Sequence, residues 1–564
     1  MDVLRLLGWL IGTTWLIFAT LCGWLFRGGK WLAQRIGKKP STTFGSARWA
    51  QFLDLLFARP RAWGGATGVV LGKAWGRLLR FNGDGAVLVY APQGAGKGVQ
   101  VVIPTCLAWP GSALILDPKA EIFDITHAHR GTFSKIVRLD AIDPKTSASF
   151  NPLDTIRPDP HFMAEDASAL AEMLLEATSG TGHDNYFTRA GRTLLKAFLL
   201  YVSENYRDRP AERTLAKVRQ FLAYPEDALK AELDLMATFR LAAVAEEASS
   251  VKAALANESA RDVIRTAAEA VALFSEGTLG ARLTRTSTFT FEELVTGNVT
   301  IYVMVPETRL EVLRPLLRVM FGCAITALAQ AKERGLPAQK PLLMIDEARA
   351  LGHLDVLARA MGWLRAYAQL VLVWQDLGQL TATYGEQTAT TFKANSGATV
   401  AFNVNDLTTA RELADIIGHR TVFSSSAGMS QGSTDILRHQ QQMGQSESGY
   451  YLVDPAQVMQ LTKRFAVIRM NTVDAPIRIR KWDYRRDRWF RDRAGVWRAR
   501  VPQPGPQDDP QTAAPAATAA PPSAHAPAGA DGPARTEGRA TLRLPAELFR
   551  PVGPDAGPRG DASP

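Results

Sequence analysis

The feature that most narrows the folds open to this chain is a short passage from strand to glycine turn to helix. Ala86 to Tyr90 is an unbroken apolar run. It leads into Ala91-Pro92-Gln93-Gly94-Ala95-Gly96-Lys97-Gly98 and then Val99-Gln100-Val101-Val102. A tight turn ending in Gly-Lys between a strand and a helix start is the setting of a phosphate-binding loop. Glycines let main-chain N–H groups converge on phosphate oxygens, the helix N-terminus adds positive potential, and a lysine neutralises the β and γ charges. The candidate nucleotide-binding residues are therefore Gln93, Gly94, Ala95, Gly96, Lys97, Gly98 and Val99. Two positions depart from the pattern: Ala91 replaces the first glycine, and Gly98 replaces the Ser or Thr whose hydroxyl would touch Mg2+. A structural glycine turn is the competing reading of the loop taken alone.

A second passage changes that balance. Pro341-Leu342-Leu343-Met344-Ile345-Asp346-Glu347 is an apolar strand ending in two carboxylates. Beside a phosphate-binding loop, Asp346 is the candidate Mg2+ ligand and Glu347 the candidate catalytic base that polarises an attacking water. Without such a loop, an acidic pair after a strand could simply serve the dipole of a following helix. Gln375, at the end of the apolar run Leu370–Trp374, is a candidate catalytic γ-phosphate sensor or a polar strand cap.

Around these passages the pattern is that of an α/β protein. Strand-like runs at Ala86–Tyr90, Ser112–Asp117, Lys135–Leu139, Val299–Val305, Leu342–Ile345, Leu370–Trp374 and Thr399–Phe402 alternate with helical stretches, notably Arg314–Arg334 and Asp406–Ile417. Such alternation predicts a parallel sheet. Arg464–Met470 and Ile477–Trp482 read as closing strands. Between His161 and Ser275 the β-branched runs vanish and apolar residues recur at three and four. This predicts an all-α insertion with helices at Asp166–Glu176, Thr188–Tyr201, Arg213–Leu222 and Val251–Phe274. Residues 40–80 read as a Gly- and Trp-rich connector and Ser424–Gly449 as a mobile loop. The last 64 residues hold 14 of the 32 prolines and read as disordered, with one apolar island at 540–549.

At the other end, Leu6–Phe26 is 21 residues without a charge, long enough to cross a bilayer. Five Lys/Arg between Arg27 and Lys39, against Arg5 alone before the run, place the N-terminus outside and the bulk in the cytoplasm. A cleaved signal peptide fits less well, because charge follows the apolar run rather than preceding it. The boundaries expected are an anchor and basic segment at 1–39 and a nucleotide-binding domain at 40–160 and 276–484. The all-α domain occupies 161–275, and a basic segment with its tail occupies 485–564.

Three scattered cysteines exclude a disulfide framework and a structural zinc site, and no His-Glu-x-x-His pair suggests a zinc hydrolase. The net charge of +10 favours polyanionic partners. Much of it is local: Arg478–Arg500 carries ten Lys/Arg against three Asp, either a partner-binding stretch or a solvated strand and loop.

With these motifs in order the chain resembles the type IV secretion coupling proteins, the TraG-type conjugation ATPases, over roughly Phe44–Tyr484. The matching stretches are Gly45-Ser46-Ala47-Arg48-Trp49-Ala50, Gly94–Gly98, Asp117-Pro118-Lys119-Ala120-Glu121, Phe150-Asn151-Pro152-Leu153-Asp154, Ile345-Asp346-Glu347, Trp374–Leu380 and Val404–Ala410. The resemblance implies a RecA-like P-loop NTPase domain interrupted by an all-α domain, held in the bacterial inner membrane by residues 6–26. It further implies a homohexamer around a channel, with ATP and Mg2+ as cofactors. By position it gives Lys97 to the phosphates, Asp346 to magnesium, Glu347 to catalysis and Gln375 to sensing. It also implies delivery of DNA–relaxase complexes or protein effectors to a type IV secretion channel, with DNA held mainly through phosphates and little sequence preference.

Family members commonly carry glycine after the loop lysine, as Gly98 does here. They usually have two N-terminal spans where this chain shows one. Ala348-Arg349 stands where an aromatic and a small residue are commoner, and Ala120 where glycine is usual; alanine suits that position if its backbone is not left-handed. A neighbouring subunit in a ring would supply an arginine to the γ-phosphate, for which Arg314, Arg318, Arg365, Arg411 and Arg420 qualify. Two other readings are a non-hydrolysing ATP-binding receptor and a chromosome pump of the FtsK kind.

Overall fold

The computed structural model describes residues 42–58, 67–175, 186–256, 260–331, 335, 337, 339–429 and 441–495. The apolar run 6–26 and the proline-rich end lie outside them. Among the described residues no helix is long and apolar enough to cross a membrane.

Nine strands form one sheet. Along the chain they are β3 (Ala86–Tyr90), β4 (Ala113–Leu116), β5 (Lys135–Asp140), β6 (Val299–Met304), β7 (Leu342–Ile345), β8 (Gln369–Trp374), β9 (Ser396–Ala401), β12 (Phe465–Met470) and β13 (Ile477–Arg480). Two hairpins stand apart, β1–β2 (Val69–Ala74, Arg77–Phe81) and β10–β11 (His419–Met429, Gln441–Tyr451). The sheet order is β13-β12-β9-β3-β8-β7-β4-β6-β5, parallel from β9 to β5 and antiparallel at β12 and β13. Strands β3, β4, β6, β7 and β8 are buried at every position, as parallel strands covered on both faces must be. Alternate residues feed the two sides: Leu88, Leu114, Leu343 and Leu372 pack into one core, and Val87, Val89, Ile115, Met344 and Val371 into the other.

Strands β5 and β6 are parallel neighbours, and among the described residues the chain between them forms helices and turns but no strand. It contains Pro160–Leu175, Tyr186–Asn205, Leu215–Leu222, Glu226–Ala237, Ala242–Ala254 and Ala260–Ala270. The two ends of this segment are stapled together. Phe150 N donates to Leu283 O at 3.0 Å, Thr288 N to Ser149 O at 2.9 Å, and Asn151 N to Ser287 Oγ at 2.9 Å. Asp154 accepts from Ser287 Oγ and pairs with Arg213. The Phe150–Asp154 motif is thus the joint at which the helical segment leaves and rejoins the α/β body. The segment shares one continuous core with the sheet. Its first helix lies so close to Arg314–Ala329 that a Cβ on Gly322 would collide with Met173 Sδ.

Several expectations need correction. The connector 40–80 contains β1, the short helix Phe52–Phe57 and all but the last residue of β2, because Val69, Leu71 and Phe81 bury an apolar face against the sheet. The Ser/Gln/Gly stretch is not a loop throughout: β10 and β11 pair residue by residue, so main-chain hydrogen bonds supply what the composition conceals. The expected helix Val251–Phe274 is two helices and a final 3-10 turn, and Glu226–Ala237 is a further helix. The basic run after Arg478 begins as β13, which buries Ile477 and Ile479 and exposes Arg478 and Arg480. Beyond it, part of the charge is met by Asp483 and Asp492 within the run, and Asp487 pairs with Lys73.

Candidate functional site

The carboxyl ends of the parallel strands form one edge of the sheet. There the chain turns one way from β3 toward β8 and β7, while β9 lies on its other side. Crevices at such switch points are where open α/β sheets bind ligands. Register brings Tyr90 level with Trp374, and Leu116 level with Ile345, so the loop after β3, Gln375, Asp346 and Asp117 all emerge at this edge.

The loop is shaped by its glycines. Gly94 and Gly96 have φ of +72° and +97°, conformations only glycine adopts readily. Ala95 N closes the turn onto Pro92 O at 3.2 Å, and Gln100 N donates to Gly96 O at 3.0 Å. A π-helical turn, Gly98–Val102, then runs into the helix Ile103–Ala108. A Cβ on Gly94 or Gly96 would meet nothing within 4 Å, and one on Gly98 only Ile103 Cδ1 at 3.9 Å, so the loop borders open space. Gln93 and Gly94 are exposed at its tip, Ala95 is buried, and Gly96, Lys97, Gly98 and Val99 are half-buried.

Lys97 turns back across the loop. Its Nζ donates to Asp346 O at 2.9 Å and lies 3.5 Å from Asp346 Oδ1 and 3.8 Å from Glu347 Oε2. Gln375 Nε2 is 3.5 Å from Glu347 Oε1, while the Gln375 main-chain N–H donates to Gln379 Oε1. The fold therefore brings Lys97, Asp346, Glu347 and Gln375 to one place. Burial pushes the Asp346 carboxyl up to about 6, with Lys97 pulling it down and Glu347 adding to the rise. Asp346 Oδ1 is buried and makes no hydrogen bond. A buried carboxylate oxygen with no hydrogen bond and only the Lys97 ammonium 3.5 Å away, beside an open glycine cradle, fits a divalent cation carried in with phosphates. Among the described residues no group of three or more His, Cys, Asp or Glu could hold a metal unaided, and Mg2+ needs only one or two carboxylates when phosphates complete its shell.

Asp117 is deeply buried; its Oδ2 accepts from Phe123 N at 2.7 Å. Burial pushes its carboxyl up to about 7, and Asp346 adds to the rise. The bond to Phe123 closes the turn that starts the helix Glu121–Arg130, and Ala120 in that turn has φ +55°. The condition under which alanine would be at ease there is not met. Asp376 and Asp406, in two other matching stretches, cap helices: their side chains accept from Gln379 N and Thr409 N.

The five arginines named above are dispersed. Arg314 and Arg318 crowd Gly352, Arg318 Nε donates to Leu351 O, and Arg365 offers its carbonyl to Lys340. Arg411 lies on the helix Leu407–Ile417, and Arg420 on β10 bridges to Ser46. Sequence reasoning did not reach Lys481, at the end of β13, whose Nζ donates to Asn403 Oδ1 at 3.0 Å and to the loop carbonyl of Ala95 at 3.5 Å. It lies far from the loop in sequence, and only the register of β12 with β9 and β13 brings it there.

Comparison with known proteins gives a consistent family. The profile of type IV secretory system conjugative DNA transfer proteins matches residues 48–505. A conjugal transfer protein TraG of Escherichia coli is 29% identical over 440 residues, covering 71% of this chain and 68% of that protein. A VirD4 protein of Rhizobium radiobacter is 28% identical over 482 residues, 82% of this chain and 67% of that protein. The chain thus spans about two thirds of the length of these relatives. Among solved structures, the bacterial conjugative coupling protein TrwBdeltaN70 superposes with a TM-score of 0.57 at 16% identity, over 79% of this chain and 94% of that one. TrwB in complex with ADP and Mg2+ superposes with a TM-score of 0.56 at 16% identity, over 79% of this chain and 95% of that one. At such identities the likeness is one of fold.

Proposed function

Since the chain belongs to the type IV secretory system conjugative DNA transfer family, we propose that it is an ATP-hydrolysing coupling protein that delivers DNA–relaxase complexes or protein effectors to a secretion channel. The observation that carries this is the meeting of Lys97, Asp346 and Glu347 beside an open glycine loop. In this reading Lys97 swings from its carboxylates to the phosphate chain, aided by the main-chain N–H groups of the loop. Asp346 would hold Mg2+, which would supply positive charge to offset that of the phosphates. Glu347 takes up the proton of the attacking water, and Gln375, already beside it, orients that water. A copy of the chain in a ring, six by family expectation, supplies an arginine in trans. Residues 6–26 anchor the ring in the inner membrane, and DNA contacts go to phosphates.

A second reading follows from Gly98, which offers no hydroxyl to a metal: a receptor that binds ATP without turning it over. One experiment separates the two. ATP hydrolysis by the full chain in detergent is measured with and without single- and double-stranded DNA, beside Lys97→Ala and Glu347→Gln. Turnover lost in both variants supports the motor, and stimulation by DNA identifies the cargo class. Tight ATP binding with no turnover under any of these conditions rejects the motor and leaves the receptor.

A further inference from the structure

Lys97 is not the sole cation at the loop. Lys481 reaches the loop's other flank, on the side of β9, where it donates to Asn403 Oδ1 at 3.0 Å and to Ala95 O at 3.5 Å. Its position is built from several directions. The Lys481 main-chain N–H donates to Arg464 O, and the next residue, Trp482, donates through its N–H to Gln100 Oε1 at 3.0 Å. Gln100 is buried on the helical turn that follows the loop and donates in turn to Leu71 O at 2.8 Å. The partner Asn403 sits in the left-handed region, φ +50°, just past the end of β9, with its N–H on Thr462 O. Among the described residues no carboxylate lies within ion-pairing distance of Lys481, although burial is enough to hold its ammonium below the ordinary lysine range. An ammonium half-withdrawn from water and given only neutral oxygens is an unfavourable arrangement unless an anion completes it.

We propose that Lys481 is a second anion-binding lysine of the nucleotide site, held ready by Asn403 to take the phosphate chain on the flank of the loop opposite Asp346 and Glu347. The inference rests on the nucleotide reading above. Lys97 lies among carboxylates and serves the end of the chain where metal and water act. Among the described residues Lys481 Nζ has only the neutral oxygens of Asn403 and Ala95 as partners, so its part is binding and orientation.

The test is the affinity of the full chain in detergent for ADP and for adenosine, at low and moderate NaCl. Lys481→Met is expected to weaken ADP binding about tenfold or more, leave adenosine binding unchanged, and flatten the dependence of ADP affinity on salt. Lys481→Arg is expected to restore most of the loss. Asn403→Asp keeps a residue that tolerates the left-handed conformation and gives Lys481 a carboxylate of its own, so it should weaken ADP binding while the lysine stays in place. It also guards against a Lys481→Met chain that fails to fold. ADP affinity within about twofold of wild type in a folded Lys481→Met chain, or in Asn403→Asp, with the salt slope unchanged, would overturn the assignment. A wild-type chain that binds no ADP overturns the nucleotide reading and this inference together. A wild type that binds and responds to Lys97→Ala, with Lys481→Met indifferent, removes this inference alone.

Discussion

The ammonium of Lys97 donates to the main-chain carbonyl of Asp346 across 2.9 Å and 249 residues of chain. With Glu347 Oε2 3.8 Å away, one cation serves the loop after β3 and both acids after β7. Lys97→Ala should therefore lower ATP affinity and turnover together, turnover by about a hundredfold or more. Glu347→Gln should leave affinity within about threefold and reduce turnover by about a thousandfold. Equilibrium binding and steady-state hydrolysis on the same preparations check the split. A loss of affinity in Glu347→Gln equal to that in Lys97→Ala would contradict the roles assigned.

Gly98 has room for a side chain, since its nearest neighbour to a Cβ is Ile103 Cδ1 at 3.9 Å. Gly98→Ser should fold with stability within about 0.5 kcal/mol of wild type. Its hydroxyl should lower the Mg2+ concentration needed for half-maximal turnover, measured by titrating Mg2+ at fixed ATP.

Asp117 binds its proton more tightly folded than unfolded, with a folded value near 7 against the usual carboxylate range near 4. Between those values the native state holds more protons than the unfolded one, so this group's contribution to stability falls as pH rises from about 4 to about 7. Asp117→Asn removes that term. Unfolding in urea without Mg2+ at about pH 4.5, 6 and 7.5, which together cover most of this window, should show a flatter pH dependence in the variant. Parallel curves for variant and wild type would exclude the proton linkage.

Ala120 at φ +55° carries left-handed strain of about 1–2 kcal/mol. Ala120→Gly relieves it but gives up a buried methyl worth about 0.8 kcal/mol, for a net gain of roughly 0.5 kcal/mol. Ala120→Val, β-branched in that region, should cost about 2 kcal/mol or more. Denaturation midpoints decide, and a stabilised valine variant would show that the turn is not held left-handed.

Arg130 is fully buried, and among the described residues no carboxylate pairs with it. Its guanidinium donates to Cys106 O at 2.8 Å, Trp109 O at 2.9 Å, Gly111 O at 2.7 Å and Thr300 Oγ1 at 2.7 Å, tying the end of the helix Ile103–Ala108 to β6. A lysine cannot reach four acceptors with a planar fork, so Arg130→Lys should cost about 3 kcal/mol. Calorimetry on the purified variant measures it.

The strands that end at the site were legible because each carries a short, unbroken apolar run, and burial on both faces requires that. Lys97, Asp346 and Glu347 were legible for a related reason: a glycine turn and an acidic pair punctuate two such runs. The β10–β11 hairpin was not, since serine, glycine and glutamine carry no alternation and the pairing rests on main-chain bonds. Lys481 was hidden by sheet order, which no local pattern encodes. The left-handed φ of Ala120 was left open by the residue itself, because alanine is the wrong signal for that conformation and only the glycine usual at that position hinted at it.

The packing of Gly322 against Met173 bears on how such a protein can change over generations. By chain order, residues 150–288 look like a removable cassette, stapled at a single joint between adjacent strands. Yet their first helix is fitted to the bare backbone of Gly322 on a helix outside the cassette. A recombination that exchanges the helical segment between relatives would inherit a mismatched seam unless Arg314–Ala329 travelled with it. The unit of exchange is drawn by contact, and it is discontinuous in the gene.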